Sequence, residues 1–407
     1  MTAAAVPEAS SPSRDEILAR LPAVAAAIGK DAAQRELAGK LPFDAFALVV
    51  ESGFPTLRVP RALGGPGGSV VDYIGGLATL ASGDPNVAHA LRSHFNFVES
   101  AILSEPTAKR RDHIGLILAG KIFAGAHTEQ GTAKPGDVTA KFTRAGDSFR
   151  LNGRKWYATG TAFADYGSFT ALDEEGKLIR VLIPTQRKGL QILDDWDGMG
   201  QRLTASGGVA FDDVEVFAHE VEPQQLNNFI GRHTSALRQL HLAACAAGAL
   251  RNVLSDGIAY VRNHGRSAAH SAAPTAAADP FVQQVIGEIA ANAFAVDQAL
   301  LAAAGKLDAS AAAIVKGDEA EIETALIAAS LAVAQTQLTL GALGPRTAER
   351  LFELGGGSTT SRTHNFDRHW RNIRTVLSHN PLLHKSRVVG DYLLNGATTH
   401  LLEGKVF

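Results

Sequence analysis

Hydrophobic and polar positions along the chain change their period twice, and these changes divide it into three zones. Between residues 13 and 121, apolar side chains such as Ile17 and Leu21 recur at helical spacing. Between residues 122 and 224, short β-branched and aromatic runs alternate with glycine-containing turns, which predicts an antiparallel β domain. Long alanine- and leucine-rich runs in residues 225–407 predict a helical bundle. The pattern therefore predicts an α+β fold of three domains.

Individual elements follow from the same periodicity. Glycine and proline in residues 59–69, and the scarcity of large apolar side chains in residues 267–278, predict two exposed loops. The predicted helices cover residues 43–52, 73–81, 86–103, 106–119, 235–263, 279–304, 318–343 and 380–394. The predicted strands cover residues 137–142, 148–151, 155–158, 166–172, 178–184 and 208–211.

Composition narrows the class of protein. In 407 residues, 45% are hydrophobic and 20% charged, which is typical of a soluble enzyme subunit. The 39 basic and 41 acidic residues nearly balance, so no basic field favours nucleic acid. Residues 1–15 lack the features of a secretory signal, and no apolar run reaches the roughly 20 residues of a membrane helix. With Cys245 as the single cysteine, we expect a reducing, cytoplasmic location and no membrane partner.

Familiar nucleotide and metal motifs are absent from the sequence. The glycine cluster at residues 64–68 follows no predicted strand and lacks the lysine of a P-loop, so a surface turn explains it best. No βαβ unit for a nicotinamide cofactor is predicted, and the 14 histidines form no metal-ligand spacing. Electrons from a pyridine nucleotide would therefore have to arrive through another carrier.

Two polar turns beside aromatic strands suggest one wall of a cofactor pocket. The first, in residues 123–131, contains Thr128, whose hydroxyl and neighbouring backbone groups suit the polar edge of a ring system. The second, in residues 151–165, follows Trp156 and Tyr157. Strand aromatics more often fill a core, and that alternative stays open on these residues alone.

A third signal lies near the C-terminus. The triple glycine at residues 355–357 exposes backbone N–H groups that suit a phosphate. Arg368, Arg371 and Arg374 follow at helical spacing on one face. A solvated arginine face explains the same spacing equally well.

Taken in order, the motifs resemble the acyl-CoA dehydrogenase superfamily over about residues 15–400. The resemblance implies a helical N-terminal domain, a central antiparallel β barrel, a C-terminal four-helix bundle and a homotetramer that binds flavin. It is carried by VPRALGG at residues 59–65, HTEQG at 127–131, LNGRK at 151–155, TGT at 159–161, IPT at 183–185, WDGMG at 196–200, FDDVEV at 211–216 and GGG at 355–357.

The glutamate base of the dehydrogenases is missing from both of its usual places. A carboxylate is needed to abstract the α-proton of a thioester. Residues 374–381 read RTVLSHNP, and residues 237–241 read LRQLH, without an acidic side chain in either segment. Ordinary acyl-CoA dehydrogenation is therefore not expected.

Residues 368–381 instead resemble the flavin-dependent monooxygenase branch that includes the dibenzothiophene monooxygenases. That resemblance implies catalytic roles for His379 and His94, which would hold or deliver a proton, and for the hydroxyl of Thr159. The relative's asparagine in the first flavin turn is replaced by Gly125. Outside this motif context, each histidine is equally well explained as a core or surface residue.

The implied cofactor is FMN or FAD, reduced by a separate flavin reductase, which acts with O2 on a small sulfur-containing or aromatic substrate. Two alternatives remain: an acyl-CoA dehydrogenase or nitroalkane-oxidase-like enzyme with a displaced base, and a non-catalytic scaffold of the same fold. The residues implied in flavin binding are His127, Thr128, Trp156, Thr159, Arg266, Gly356, Gly357 and Ser358.

Overall fold

The computed structural model describes residues 12–134, 136–222 and 228–402. Seven helices precede the sheet, and six follow it within this part of the chain. The first seven are α1 Arg14–Gly29, α2 Ala32–Ala38, α3 Phe43–Glu51, α4 Val70–Gly83, α5 Pro85–Ala90, α6 Arg92–Leu103 and α7 Ala108–Leu118. The last six are α8 Phe229–Asn263, α9 Pro280–Lys316, α10 Glu319–Arg350, α11 Asp367–Leu377, α12 Leu382–Asn395 and α13 Thr399–Leu402.

Between the two groups of helices lies one sheet of eight strands. Its order is β6-β7-β3-β2-β4-β5-β8, and β1 pairs with β4. The strands are β1 Phe123–Ala126, β2 Lys141–Ala145, β3 Ser148–Lys155, β4 Tyr166–Leu172, β5 Leu178–Pro184, β6 Leu190–Ile192, β7 Val209–Val216 and β8 Val221–Glu222.

The sheet differs from the predicted antiparallel barrel because it is mixed. Strand β1 runs parallel to β4 over four residue pairs, and β2 adds one parallel pair at Lys141 and Leu172. In the described part of the chain, β6 and β8 are edges that do not pair with each other, so the barrel expectation is not met in its closed form. A bulge between Leu151 and Gly153 shifts the register of β3 against β7.

The helices of the first and third zones share one hydrophobic core. Tyr73 on α4, Leu240 on α8 and Leu300 on α9 belong to the same buried cluster, whereas Phe169 and Phe211 lie in a separate core on the sheet. Helices α8, α9 and α10 pack against one another, and α4 packs on α8. A separate C-terminal four-helix bundle stays a prediction, because the N-terminal helices complete this core.

Local differences from the predicted elements have backbone causes. The expected helix over residues 86–103 is broken at Leu91, which caps α5 with φ −80° and ψ −3°. The short strand β1 was not predicted, because its sequence Phe-Ala-Gly-Ala lacks β-branched residues. Helix α11, which ends two residues before His379, was also not predicted with defined bounds.

Two helical segments, α9 and Glu319–Leu354, are long and apolar enough to cross a membrane by length and composition. Their most apolar windows are only 28% and 44% buried. Because α9 also packs on α8 and α10, we interpret both segments as core helices with an additional apolar outer face. Phe281, Phe294 and Val315 are exposed along α9.

Candidate active site

Side chains from four distant segments lie within electrostatic reach of one another where the helical core meets the sheet, and we call the partly exposed space that they border the cleft. These are Arg92 at the start of α6, His127 after β1, Arg238 on α8 and His379 after α11. The charges of Arg92 and Arg238 both act on each of the two histidines. All four residues keep contact with solvent: Arg92 and Arg238 are half-buried, and His127 and His379 are exposed.

Both cleft histidines are neutral at physiological pH. Burial, followed by the charges of Arg180 and Arg238, lowers the pKa of His127 to about 3. The charge of Arg92, followed by burial, lowers the pKa of His379 to about 2. Both residues are nevertheless exposed at their outer side chain or backbone atoms, so the charges of the surrounding arginines contribute to the lowered pKa as well as burial.

The two turns expected to hold flavin lie side by side. The backbone N–H of Trp156 donates to the carbonyl of Thr128 at 2.8 Å. In return, the Thr128 hydroxyl donates to the Trp156 carbonyl at 3.0 Å. The next residue, Tyr157, has a positive φ of 58° and an exposed side chain. The structure thus brings Thr128 and Trp156 together at the rim of the sheet, although the two residues are far apart in sequence.

Thr159 begins a chain of hydroxyl groups. Its Oγ1 lies 2.6 Å from Oγ of Ser206, which lies 2.6 Å from Oγ1 of Thr204. Thr204 donates onward to the carbonyl of Gln201 at 2.8 Å. The turn needs glycine at Gly160, because φ is 81° there and a Cβ would lie 2.1 Å from a backbone oxygen. The hydroxyl of Thr159 is therefore held in a fixed position at the edge of the cleft.

His94 is placed differently from His379. Its ring is fully buried beside Phe95 and Phe123. Nε2 donates to the carbonyl of Pro55 at 2.9 Å, and Nδ1 accepts the backbone N–H of Phe123 at 3.3 Å. Burial lowers its pKa to about 4. Because backbone groups use both ring nitrogens, these contacts give His94 a structural role, and a catalytic role stays a prediction.

The residues expected near the flavin phosphate lie at the other end of α8. Ser358 contacts the hydroxyl of Tyr260 at 2.7 Å, and Arg266 lies exposed just beyond that helix end. Tyr260 is about 33 Å from Arg238 along the helix, at 1.5 Å per residue. Gly356 and Gly357 are exposed beside Ser358. One chain therefore does not bring this group together with Thr128 and Trp156, and its role stays a prediction.

Four further residues lie around the cleft. His89 is fixed through Nδ1, which lies 3.0 Å from Oε1 of Gln201. His241 accepts at Nδ1 from the Tyr73 hydroxyl at 2.5 Å, while its Nε2 donates to the carbonyl of Ala88 at 3.0 Å. Burial lowers the pKa of both histidines, that of His89 to about 4.

Sequence reasoning missed these groups together with the two cleft arginines. One signal was available, because His89 and Arg92 are three residues apart, and so are Arg238 and His241. Within one helix that spacing places a basic pair on one face, as it does for Arg238 and His241 on α8, whereas the break at Leu91 separates His89 from Arg92. The same loop that fixes His89 is anchored to α11, since the backbone N–H of Gln201 donates to Asn372 at 2.6 Å.

In the described part of the chain, the cleft has neither a carboxylate paired with its arginines nor a cluster of metal-binding side chains. Within residues 12–134, 136–222 and 228–402, no carboxylate forms an ion pair with Arg92 or Arg238. The same ranges contain no cluster of three or more histidine, cysteine or acidic side chains that suits a metal. A pocket of about 630 Å³ between α3 and the sheet contains none of the predicted site residues. We therefore treat the histidine- and arginine-lined cleft as the candidate site.

Comparisons with known proteins identify the family to which the chain belongs. The family described as "Acyl-CoA dehydrogenase, middle domain" matches residues 124–214, and "Acyl-CoA dehydrogenase, C-terminal domain" matches residues 240–382. The chain belongs to the acyl-CoA dehydrogenase superfamily. The two matches together cover more than half of the chain; they include the two turns predicted to hold flavin, His127 and His379, but neither Arg92 nor Arg238.

Within this superfamily, the chain is similar to monooxygenases. It is 26% identical over 379 residues to the probable FMNH2-dependent monooxygenase SfnC of Pseudomonas putida, covering 91% of this chain and 93% of that protein. It is also 26% identical over 360 residues to dibenzothiophene monooxygenase of Mycolicibacterium goodii, covering 84% and 85%. FMN-bound TdsC from Paenibacillus sp. A11-2 superimposes with a TM-score of 0.83 at 25% identity, covering 94% and 98%. These similarities confirm the predicted monooxygenase branch.

Because the chain belongs to this superfamily, the absence of a carboxylate from the two usual base positions bears on its chemistry. Of the two segments where a dehydrogenase base is expected, one presents Arg238 and the other His379 to the cleft. An arginine cannot accept a proton from a substrate at neutral pH, whereas a neutral imidazole can. Neither segment therefore supplies the carboxylate base that acyl-CoA dehydrogenation needs.

Proposed function

We propose that the protein is the oxygenase of a two-component flavin-dependent monooxygenase. It would use reduced FMN, with FAD as the alternative, together with O2 to oxygenate a small sulfur-containing or aromatic compound. A separate flavin reductase would supply the reduced cofactor by diffusion. The observation that carries the proposal is the cleft itself, where neutral histidines and two arginines stand beside the paired flavin turns.

The residues at the rim fit a flavin ring. An isoalloxazine needs a flat apolar surface along its face and hydrogen-bonding groups along one edge. Trp156 offers a half-buried aromatic surface, Thr159 a half-buried hydroxyl, and the exposed turn at His127 and Thr128 further polar groups. These donors and surfaces meet at one place because Thr128 and Trp156 are hydrogen-bonded to each other.

Reduced flavin bound there would supply the two electrons that reduce O2, with one oxygen atom going to the substrate and the other to water. His379 is neutral, so its free ring nitrogen can accept a hydrogen bond; a negative charge bound beside Arg92 would raise its lowered pKa and let it accept a proton and return it within the cleft. Its Nδ1 is held 3.1 Å from Oδ1 of Asn380, which orients the ring.

The hydroxyl chain of Thr159, Ser206 and Thr204 would limit the movement of protons at the edge of the cleft. Because Thr204 donates to the carbonyl of Gln201, Ser206 donates to Thr204 and Thr159 donates to Ser206, which leaves the Thr159 oxygen as an acceptor towards the cleft. That arrangement holds one acceptor at a fixed place and ties up the hydroxyl protons without a mobile water. Limiting mobile protons favours oxygen transfer to the substrate over release of hydrogen peroxide.

A homotetramer is part of the proposal. The distance along α8 separates Gly356, Gly357, Ser358 and Arg266 from the flavin turns of the same chain, so a neighbouring subunit would use them for the flavin phosphate. The exposed apolar side chains of α9 supply a surface for such contacts. We propose a cytoplasmic location, where a flavin reductase and reduced nicotinamide are available.

Two experiments separate this proposal from its alternatives. Reduced FMN, O2 and an organosulfur compound should yield an oxygenated product, whereas FAD-loaded protein should not be bleached by acyl-CoA thioesters under anaerobic conditions. Anaerobic bleaching would support a dehydrogenase with a displaced base. Failure to bind either flavin at micromolar concentration would support a non-catalytic scaffold.

A further inference from the structure

Two arginines in the cleft are held side by side by the packing of α6 on α8. The Nε of Arg92 donates to the backbone carbonyl of Arg238 at 3.3 Å. Nη1 of Arg238 donates to Oδ1 of Asn96, one turn along α6 from Arg92, at 2.9 Å. Neutral groups therefore fix the two positive side chains on one wall of the cleft.

These two arginines lack the partner that comparable arginines of the protein have. Four other shielded guanidinium groups each contact a carboxylate at 2.6 to 2.9 Å. The pairs are Arg58 with Glu99, Arg232 with Glu323, Arg251 with Asp297, and Arg368 with Asp256. In the described ranges, neither Arg92 nor Arg238 has such a pair.

The unmatched charges are unfavourable in the free protein. Burial and then the charge of Arg238 lower the pKa of Arg92 to about 9, and burial lowers the pKa of Arg238. Both side chains remain protonated at neutral pH. Shielded charges in proteins are normally paired, so an unpaired couple that reaches an open cleft suits a ligand that brings the negative charge.

We infer that Arg92 and Arg238 bind the negatively charged group of the substrate, so that the substrate is a small organosulfur anion such as a sulfinate. This inference rests on the proposed monooxygenase function and on the sulfur chemistry named for a similar protein. The planar guanidinium groups match two oxygens of one oxyanion. His379 lies within the field of the same two arginines, so the anion would be anchored beside the proton acceptor.

The corresponding reaction balances. The sulfur lone pair of a sulfinate forms a bond with one oxygen atom from O2, and the O–O bond breaks. Sulfur is oxidised from sulfinate to sulfonate, and the second oxygen leaves as water. The two electrons and two protons come from the reduced flavin, which leaves oxidised.

A matched pair of ligands tests the charge requirement. Benzenesulfinate and methyl phenyl sulfoxide share the phenyl–sulfur–oxygen unit, but the second oxygen of the anion is a methyl group in the sulfoxide. Titration calorimetry on the purified protein should show benzenesulfinate binding that Arg92→Gln and Arg238→Gln each weaken by roughly 10- to 100-fold. Binding of the neutral sulfoxide should change by less than about threefold, because each variant weakens only a hydrogen bond to an uncharged oxygen.

The controls separate charge from folding. Arg238→Lys keeps the charge and should recover part of the affinity, whereas Arg346→Gln removes an exposed arginine of α10 and should leave both ligands unaffected. Melting curves by circular dichroism show whether each variant is folded. If a glutamine variant does not fold, Arg92→Lys and a salt titration of the wild type provide the same comparison.

The outcomes distinguish the inference from the function on which it rests. Equal binding of sulfinate and sulfoxide, or unchanged sulfinate binding in both glutamine variants, overturns the anion site. Weaker binding of reduced FMN in these variants, with sulfinate binding unchanged, assigns the pair to the flavin phosphate and also overturns it. Charge-dependent binding without oxygen transfer from reduced FMN and O2 would leave the anion site in place and refute the monooxygenase.

Discussion

The buried carboxylate of Glu99 offers a direct test of what holds the cleft together. Glu99 lies on α6, two turns after Arg92, and is fully buried. It accepts from Nε and Nη2 of Arg58 at 2.9 and 2.7 Å, and its Oε1 lies 3.2 Å from Nε2 of His233 on α8. His233 continues to Ser310 on α9 at 2.8 Å. One carboxylate thus joins the helices that carry the two cleft arginines.

The substitution Glu99→Gln removes the charge while keeping the size of the side chain. Burial alone would raise the pKa of Glu99, but the charge of Arg58 and the hydrogen bond of His233 outweigh it and lower the pKa from 4.5 to about 2. At pH 7, that shift corresponds to about 3 kcal/mol of stability. Leaving Arg58 buried without its partner costs about 3 to 5 kcal/mol. We therefore expect a loss of that order.

Urea unfolding followed by far-UV circular dichroism measures the loss. Because the folded pKa is lowered, the contribution of Glu99 is complete above pH 4.5 and disappears as the pH falls towards 2. The difference between wild type and variant should therefore shrink to roughly half by pH 3. The control Glu321→Gln breaks an exposed pair with Lys316 and should cost less than about 1 kcal/mol. A difference below about 1 kcal/mol for Glu99→Gln, or one unaffected by pH, would refute this reasoning.

Three further substitutions test the roles of individual side chains. Thr159→Val interrupts the hydroxyl chain at Ser206, so the product formed per reduced FMN should fall about fivefold to tenfold, with recovery in Thr159→Ser. His379→Gln removes the neutral proton acceptor and should lower product formation by roughly 100-fold or more at unchanged FMN affinity, and the wild-type rate between pH 5 and 9 should show no ionisation of His379. His94→Gln should lower stability by about 1 to 3 kcal/mol, because it disturbs two backbone contacts, and leave product per FMN unchanged. A full loss of product without loss of stability would instead make His94 catalytic.

The order of the three zones could be predicted because periodicity is a local property of the sequence. Details that depend on weak local signals could not. Strand β1 consists of small residues and is stabilised by parallel pairing with β4, and the break at Leu91 has no glycine or proline beside it. The closed barrel and separate bundle expected from the resemblance also depend on long-range packing that no short segment encodes.

The site was predictable only where one motif carried it. Thr128, Trp156 and Thr159 lie in recognisable turns, and the structure brings these turns together. Arg92 and Arg238 are separated by more than 140 residues and meet only because α6 packs on α8. The different environments of His94 and His379 also depend on the folded structure. Burial and backbone hydrogen bonds distinguish the two residues, and the spacing of histidines in the sequence predicts neither property.

The monooxygenase claim is tested most directly by isotope labelling. The protein is mixed with chemically reduced FMN, ¹⁸O2 and, in separate reactions, benzenesulfinate, methyl phenyl sulfoxide or dibenzothiophene, and the products are weighed by mass spectrometry. The account predicts one ¹⁸O atom added to an organosulfur compound, with benzenesulfinate preferred, and no product without protein. Consumption of ¹⁸O2 solely as hydrogen peroxide with all three compounds, at the rate of free FMN, would contradict it.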